Sequence, residues 1–359
     1  MLQAIELARR ARGRTSPNPM VGAVVVRDGR ILAEGYHRRA GEPHAEAEAL
    51  RKAGSSAQGA TLYINLEPCC HWGRTPPCTR AIINAAIRQV HMAMLDPNPL
   101  VNGRGKAELE AAGIITHVGL CERRARRLNE AFIKYITTGR PFVTAKFAMS
   151  LDGKIATHSG ESRWITGSAA RERAHTLRDT NDAIMVGVNT VLTDDPRLTT
   201  RLDKPDIHHP LRVVVDTRGR IPLEAQMLTL GQPAETLVAT TELMPEEKRR
   251  QLEERGAKVL ILPLKEGRVD LAALMDALGS MEVVSLLVEG GGTLLGSLFS
   301  EGLMDKVLAF IAPKIIGGEG APTPVEGEGV ARITDALELE SVEVERVGSD
   351  ILVSGYIRR

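Results

Sequence analysis

The sequence predicts an α/β protein built as two domains, and three observations lead there. At 359 residues the chain is too long for one ordinary hydrophobic core. Short apolar runs alternate with amphipathic stretches over its whole length, the pattern of layered α/β architecture. The tripeptide Gly139-Arg140-Pro141 interrupts that alternation. The expected division is therefore 1–140 and 141–359.

The elements follow in order. Residues 1–12 mix Leu2, Ile5 and Leu7 with Glu6, Arg9, Arg10 and Arg12, an amphipathic surface helix rather than a signal peptide. Residues 19–26 form an apolar strand, Asp28-Gly29 a hairpin turn and 31–36 the returning strand. A helix is expected over 44–53, with Pro43 near its start and Gly54 as its stop. Strand 61–66, a cysteine-rich loop, helix 79–88, strand 90–95, helix 106–112 and strand 114–118 complete the first half. Residues 121–136 read as one helix with an apolar stripe of Leu128, Phe132 and Ile136. Its arginines read as a solvated face, a nucleic-acid patch being the alternative.

The second half restarts with strand 142–149, helix 168–178 and strands 183–188, 211–216 and 236–239. Helices fall near 245–255 and 270–278. Strand 283–288 runs into Glu289-Gly290-Gly291-Gly292, a helix starts at about Thr293, and 337–357 is strand-like.

Composition narrows the function. The formal net charge is +1, so no global field attracts nucleic acid or an anionic membrane, and an anionic substrate must be met by local arginines and lysines. Aromatic residues are 3%, too few for base-stacking platforms. No apolar run reaches the roughly 18 residues of a membrane span. Three of the four cysteines, Cys69, Cys70 and Cys78, lie within ten residues, which in a cytoplasmic chain suggests metal or redox chemistry.

His44-Ala45-Glu46 and the later Cys69 and Cys78 supply the metal chemistry. One imidazole and two thiolates hold zinc with a position open for water, whose pKa the metal lowers. A nearby glutamate that is not a ligand then moves the proton, the logic of zinc deaminases. Two residues are about 200° apart on a helix, so His44 and Glu46 can cooperate only from the helix's first turn. A structural zinc site closed by Cys70 or His71 is the alternative, and it leaves Glu46 without a role. In the second half the triple glycine lets backbone N–H groups approach a phosphate at a helix start, although a plain tight turn explains it as well.

Longer motifs resemble a known family. Glu67-Pro68-Cys69 through Gly73-Arg74-Thr75-Pro76-Pro77-Cys78, Ser16-Pro17-Asn18-Pro19 followed by Val21-Gly22-Ala23, and Asp96-Pro97-Asn98-Pro99 are similar to the deaminase half of the bifunctional riboflavin-biosynthesis deaminase–reductases. The chain departs from that pattern at Cys70 and Trp72. The run from Lys146 to Lys154 resembles the start of that family's reductase half. So do Gly160 to Thr166, Gly187 to Thr199, Val288-Glu289-Gly290-Gly291 and Ile311-Ala312-Pro313-Lys314.

The resemblance implies a cytidine-deaminase-like three-layer domain followed by a dihydrofolate-reductase-like domain. It implies zinc held by His44, Cys69 and Cys78, Glu46 as proton shuttle, and Asn18, with His71, lining the pyrimidine pocket. It places NADPH against Met149, Trp164, Thr190, Asp194, Thr217 and the segment Gly291, Gly292, Thr293, Leu294, Leu295, Gly296 and Ser297. Ser162, Arg178, Leu198, Arg201 and Glu289 would face a phosphorylated pyrimidine substrate. Opening the sugar ring calls for a general acid, which the sequence does not name; Glu289 is a guess for it and not part of what the resemblance implies. A homo-oligomer, dimer or tetramer, completes the expectation.

Overall fold

The computed structural model describes residues 1–72, 76–229 and 234–358. The Gly73-Arg74-Thr75 part of the cysteine motif lies outside the described residues. The chain divides into two compact units, Met1–Arg140 and Pro141–Arg359.

The first unit runs α1 (Leu2–Arg9), β1 (Gly22–Arg27), β2 (Arg30–Tyr36), α2 (Ala45–Ala53), β3 (Thr61–Ile64), α3 (Cys78–Asn84), β4 (Gln89–Met92), α4 (Arg104–Ala111), β5 (Ile115–Val118), α5 (Glu122–Leu128) and α6 (Glu130–Thr138). Its five-stranded sheet has the order β2-β1-β3-β4-β5. β1 is antiparallel to both neighbours, and β3, β4 and β5 are parallel. Successive side chains of a strand point to opposite faces, and β1 buries both. Ala23 and Val25 pack with Ala45 and Ala49 of α2 and Ile82 of α3, while Val24 meets Ala4 and Leu7 of α1.

α1 lies at the surface with one face buried, as its amphipathic pattern predicts: Ala4 and Leu7 pack against the sheet and Ile5 and Ala8 against Leu128 of α5, while Glu6, Arg9 and Arg10 stay exposed. One detail departs from the sequence pattern. The helix expected over 121–136 breaks at Asn129, which is 1% exposed. Its amide accepts the N–H of Met20 at 2.8 Å and donates to the Met20 carbonyl at 3.0 Å. Asn65, also fully buried, donates to the same carbonyl and accepts the N–H of Gly22. These two amides hold residues 20–22 in place, so β1 starts later than the apolar run does.

The second unit runs β6 (Phe142–Ser150), α7 (Ser168–Thr180), β7 (Ala183–Gly187), α8 (Val188–Asp194), β8 (Leu211–Val215), α9 (Gln226–Thr229), β9 (Thr236–Thr240), α10 (Glu246–Glu254), β10 (Lys258–Ile261), β11 (Leu264–Lys265), β12 (Arg268–Val269), α11 (Leu271–Ser280), β13 (Ser285–Val288), α12 (Gly292–Ser300), β14 (Lys306–Ala312), β15 (Leu339–Val347) and β16 (Asp350–Ile357). Nine strands form one sheet, β10-β9-β8-β7-β13-β6-β14-β16-β15, parallel from β10 to β14 and antiparallel at the terminal hairpin.

Its central strands are covered on both sides. Ala183 and Met185 of β7 join the cluster containing α11 and α12, and Ile184 and Val186 join the cluster containing Val191 of α8 and Leu252 of α10. Double burial makes such strands continuous apolar runs. That is why β14, Lys-Val-Leu-Ala-Phe-Ile-Ala, carries no alternation to mark it. The strand-like stretch 337–357 is a hairpin, turned at Gly348 with φ +64°.

Candidate functional site

In the first unit α2 lies directly on β2 because Gly35 has no side chain: a Cβ there would stand 2.4 Å from the Ala45 carbonyl. This seats the start of α2 at the sheet, with His44 as its N-cap residue and Glu46 in its first turn. The first-turn condition set by the His-x-Glu spacing is therefore met. Cys78 opens α3.

His44 Nδ1 lies 3.6 Å from Cys69 Sγ and 3.3 Å from Cys78 Sγ, and all three donor atoms fall within 4.8 Å of one another. A tetrahedral zinc with bonds of about 2.3 Å to sulfur and about 2.0 Å to nitrogen separates such donors by roughly 3.6 Å. The set therefore fits zinc. Among the described residues no fourth ligand joins it: Cys70 Sγ faces the Leu100 carbonyl, and neither Cys70 nor His71 belongs to the group. Three protein donors are the count of a catalytic rather than a closed structural site. All four cysteines are free.

Electrostatics sharpen the picture. The Cys78 thiol and the Cys78 backbone N–H, at 3.4 Å, both face Cys69 Sγ. A hydrogen bond from Cys78, with His44 beside it, lowers Cys69 toward the thiolate, while Cys78 itself is pushed up by holding the shared proton and by burial. Glu46 is 3% exposed, and burial raises its carboxyl to about 7 against the pull of His44. A carboxyl so placed can both hold and release a proton near neutrality.

Asn18 Nδ2 meets Nε2 of His37 at 3.1 Å. The other ring nitrogen of His37 donates to the Pro43 carbonyl at 3.2 Å, and its ring stands edge-on to His44 at 5.2 Å between centroids. Burial lowers His37, so the neutral ring accepts from Asn18. Sequence reasoning missed His37; its only signal was its place at the exit of the strand before Pro43-His44. His71 Nδ1 is buried without a partner.

In the second unit most of the expected site residues lie on the segments that follow β6, β7, β8 and β13, while Met149 lies within β6 and Arg178 within α7; the carboxyl ends of parallel strands are where such sheets bind ligands. β13 is inserted between β7 and β6, so the chain's winding reverses there. Glu289, one residue beyond β13, accepts from Arg178 Nε at 2.7 Å, from Arg178 Nη2 at 2.8 Å and from Lys146 Nζ at 3.4 Å. Burial alone would raise its carboxyl, but Arg178 and Lys146 hold it at about 2. Glu289 is thus a fixed anion, and the expectation that it serves as a general acid is corrected: it holds no proton to give near neutrality. Arg201 donates to Thr199 Oγ1, and its backbone N–H bonds His175 Nδ1. Burial and then the neighbouring Arg178 and Arg197 lower the Arg201 guanidinium. The neighbourhood has positive charge to spare, which suits a sugar phosphate.

The remaining residues divide between exposed and structural positions. Ser162 Oγ donates to Asp194 Oδ1 at 2.9 Å, and Arg163 donates to the Asp194 carbonyl. Trp164 is 62% exposed, with the Arg171 guanidinium 4.7 Å above its ring. Met149 lies half-buried near the end of β6. Thr190 faces the glycine turn, its Oγ1 3.5 Å from where a Gly291 Cβ would stand. Gly291, at φ +87°, lets that turn form as the N-cap of α12. Thr217 Oγ1 accepts the N–H of Val269. Leu198, Leu294 and Leu295 are buried in apolar clusters, so their side chains serve the core and only their backbone could meet a ligand. Ser297 Oγ donates to the Thr293 carbonyl.

The glycines of α12 have another neighbour. A Cβ on Gly296 would stand 1.8 Å from the Glu326 carbonyl oxygen, and one on Gly292 would stand 2.7 Å from the Glu326 side chain. Glu326 also donates its N–H to the Gly292 carbonyl and accepts from Thr293 Oγ1. A segment after β14 thus lies along one face of the helix expected to meet the cofactor.

Comparison with known proteins agrees with this geometry. Residues 1–94 match the cytidine and deoxycytidylate deaminase zinc-binding region, and residues 141–353 match the RibD C-terminal domain. The riboflavin biosynthesis protein RibD of Aquifex aeolicus (strain VF5) is 46% identical over 98% of this chain and 96% of its own. That of Escherichia coli (strain K12) is 42% identical over 98% and 96%. The structure of Acinetobacter baumannii RibD superposes with a TM-score of 0.89 at 38% identity, over 100% of this chain and 98% of that one. A diaminohydroxyphosphoribosylaminopyrimidine deaminase/5-amino-6-(5-phosphoribosylamino)uracil reductase from Thermotoga maritima does so at 0.87 and 35%, covering 100% and 97%.

Proposed function

This chain belongs to the RibD family of bifunctional riboflavin-biosynthesis enzymes, and from that premise we propose the reactions of its two halves. Residues 1–140 deaminate 2,5-diamino-6-ribosylamino-4(3H)-pyrimidinone 5′-phosphate. Residues 141–359 then reduce the ribosyl arm of the product to ribityl with NADPH. The observation that carries the reading is the triad His44, Cys69 and Cys78, its donor atoms within 4.8 Å, beside the buried Glu46.

His44, Cys69 and Cys78 would hold zinc, which supplies a Lewis acid that acidifies a water. Glu46 takes a proton from the attacking water and returns one to the departing amine, which leaves as ammonia. Asn18, oriented by neutral His37, faces the pyrimidine. In the reductase half, NADPH supplies the hydride. Arg178 is anchored by Glu289 and, with Arg201, meets the substrate phosphate. Met149, Trp164, Thr190, Asp194, Thr217 and the start of α12 meet the cofactor.

The setting is cytoplasmic, which the four free cysteines support. Among the described residues, no helix is long and apolar enough to cross a membrane. The enzyme self-associates, a reading supported by Ile333, Val342 and Val344, which are 91%, 51% and 67% exposed.

The test follows ammonia release and NADPH consumption together in zinc-loaded protein, with Glu46→Gln beside the wild type. Ammonia should precede NADPH loss. Glu46→Gln should lose both activities, and NADPH consumption should return when deaminated intermediate is supplied. Ammonia release that survives the substitution defeats the assignment of Glu46.

A further inference from the structure

The reading of the zinc site leaves the buried carboxylate of Glu67 unused. Glu67 stands two residues before Cys69, is 3% exposed and is not a member of the ligand group. Its Oε2 accepts the backbone N–H of Asp96 at 3.1 Å and of Gly103 at 2.9 Å, and its Oε1 accepts the N–H of Lys106 at 2.9 Å. Gly103 is the N-cap residue of α4, and Lys106 lies in the first turn. Helix starts leave such N–H groups without partners inside the helix, and their dipoles favour an anion there.

The backbone around Glu67 is seated as closely as its side chain. The Glu67 N–H donates to the Met94 carbonyl at 3.0 Å. The Pro68 carbonyl lies so near α4 that a Cβ on Gly105 would stand 2.2 Å from it. On the far side of Cys69, its carbonyl accepts the Thr79 N–H at 3.2 Å and its sulfur the Cys78 N–H at 3.4 Å. The ligand is thus pinned between the starts of two helices, α3 and α4, and Glu67 makes the connection to α4.

We infer that Glu67 is a positioning residue of the metal site, clamping the segment that leads into Cys69 onto the start of α4 and so setting Cys69 Sγ against His44 and Cys78. This rests on the reading of those three residues as zinc ligands. The site calls for a carboxylate. Three N–H donors converge on two acceptor oxygens, and glutamine would replace one oxygen with an NH₂ that turns further N–H donors toward them. Groups that orient metal ligands in this way are typically worth roughly 10- to 100-fold in metal affinity.

The experiment uses the full chain carrying Glu67→Gln and, separately, Gly105→Ala, whose methyl group pushes the same segment from the α4 side. Zinc loss to a chromophoric chelator is timed, and the thiolate-to-metal absorption of the cobalt-substituted protein is recorded. Circular dichroism and the unfolding transition of the first unit read whether each variant is folded. Both variants should lose zinc roughly 10- to 100-fold faster, with an altered cobalt spectrum. Should Glu67→Gln fail to fold, Gly105→Ala decides alone. Wild-type zinc release and an unaltered spectrum in the folded variants overturn the inference. A wild-type chain that takes up no zinc overturns the ligand reading and the inference with it.

Discussion

Arg178 and Glu289 form a two-pronged ion pair, Nε to Oε1 at 2.7 Å and Nη2 to Oε2 at 2.8 Å, with side chains only 14% and 4% exposed. Lys146 shares the same carboxylate. Removing one partner of a buried pair leaves the other charge uncompensated, at a cost of about 3–5 kcal/mol. Glu289→Gln should destabilise the second unit by that order and abolish NADPH consumption. Denaturant unfolding measures the first effect, and a change well under about 1 kcal/mol would put the pair in the class of solvent-screened surface bridges.

His175 gives that neighbourhood a pH signature. Burial and then Arg178 and Arg201 hold it down at about 4, and its Nδ1 accepts the Arg201 N–H at 3.3 Å. Above the unfolded value of about 6.5 both states are neutral and the group contributes nothing. Between there and about 4 the unfolded chain binds a proton that the folded chain refuses, so stability falls as pH falls. His175→Gln should flatten the pH dependence of unfolding in that window. An unchanged slope means that the loss has another source.

Chelation separates the halves. Stripping metal from the wild type should stop ammonia release and leave NADPH consumption from supplied intermediate intact, because the ligand group lies wholly in the first unit. Equal loss of both activities would show that the reductase also needs the metal.

Gly296→Ala probes the segment across α12. The added methyl would stand 1.8 Å from the Glu326 carbonyl, so helix and segment must move apart, at about 1–3 kcal/mol for overpacking. The KM for NADPH should rise while ammonia release stays at the wild-type rate. An unchanged KM would place the cofactor away from this end of the helix.

The sequence showed what is short in range. His44-x-Glu46 is legible because a cap residue and a first-turn residue are two positions apart, and its zinc partners carry a chemistry few residues share. The strands were legible where apolar runs were bounded by turns, as at Asp28-Gly29. The missed features depend on partners far along the chain. Asn129 breaks its helix for a backbone group 109 positions away. Glu289 is held ionised by an arginine 111 positions away, so sequence alone could name the carboxyl but not its ionisation. Glu67 looked like part of a motif, and its work is done by backbone amides that have no sequence signature.

The position of β6 bears on how the second unit is made. It is the first strand of that unit, yet its two neighbours in the sheet are β13 and β14, from Ser285–Val288 and Lys306–Ala312. During N-to-C synthesis β6 leaves the ribosome with both edges open, and it waits for well over a hundred residues before either is covered. Strands paired at such separation close slowly and expose aggregation-prone edges meanwhile. The second unit therefore cannot close the middle of its sheet until β13 and β14 are made, and a chain ending before β13 carries β6 with both edges unpaired.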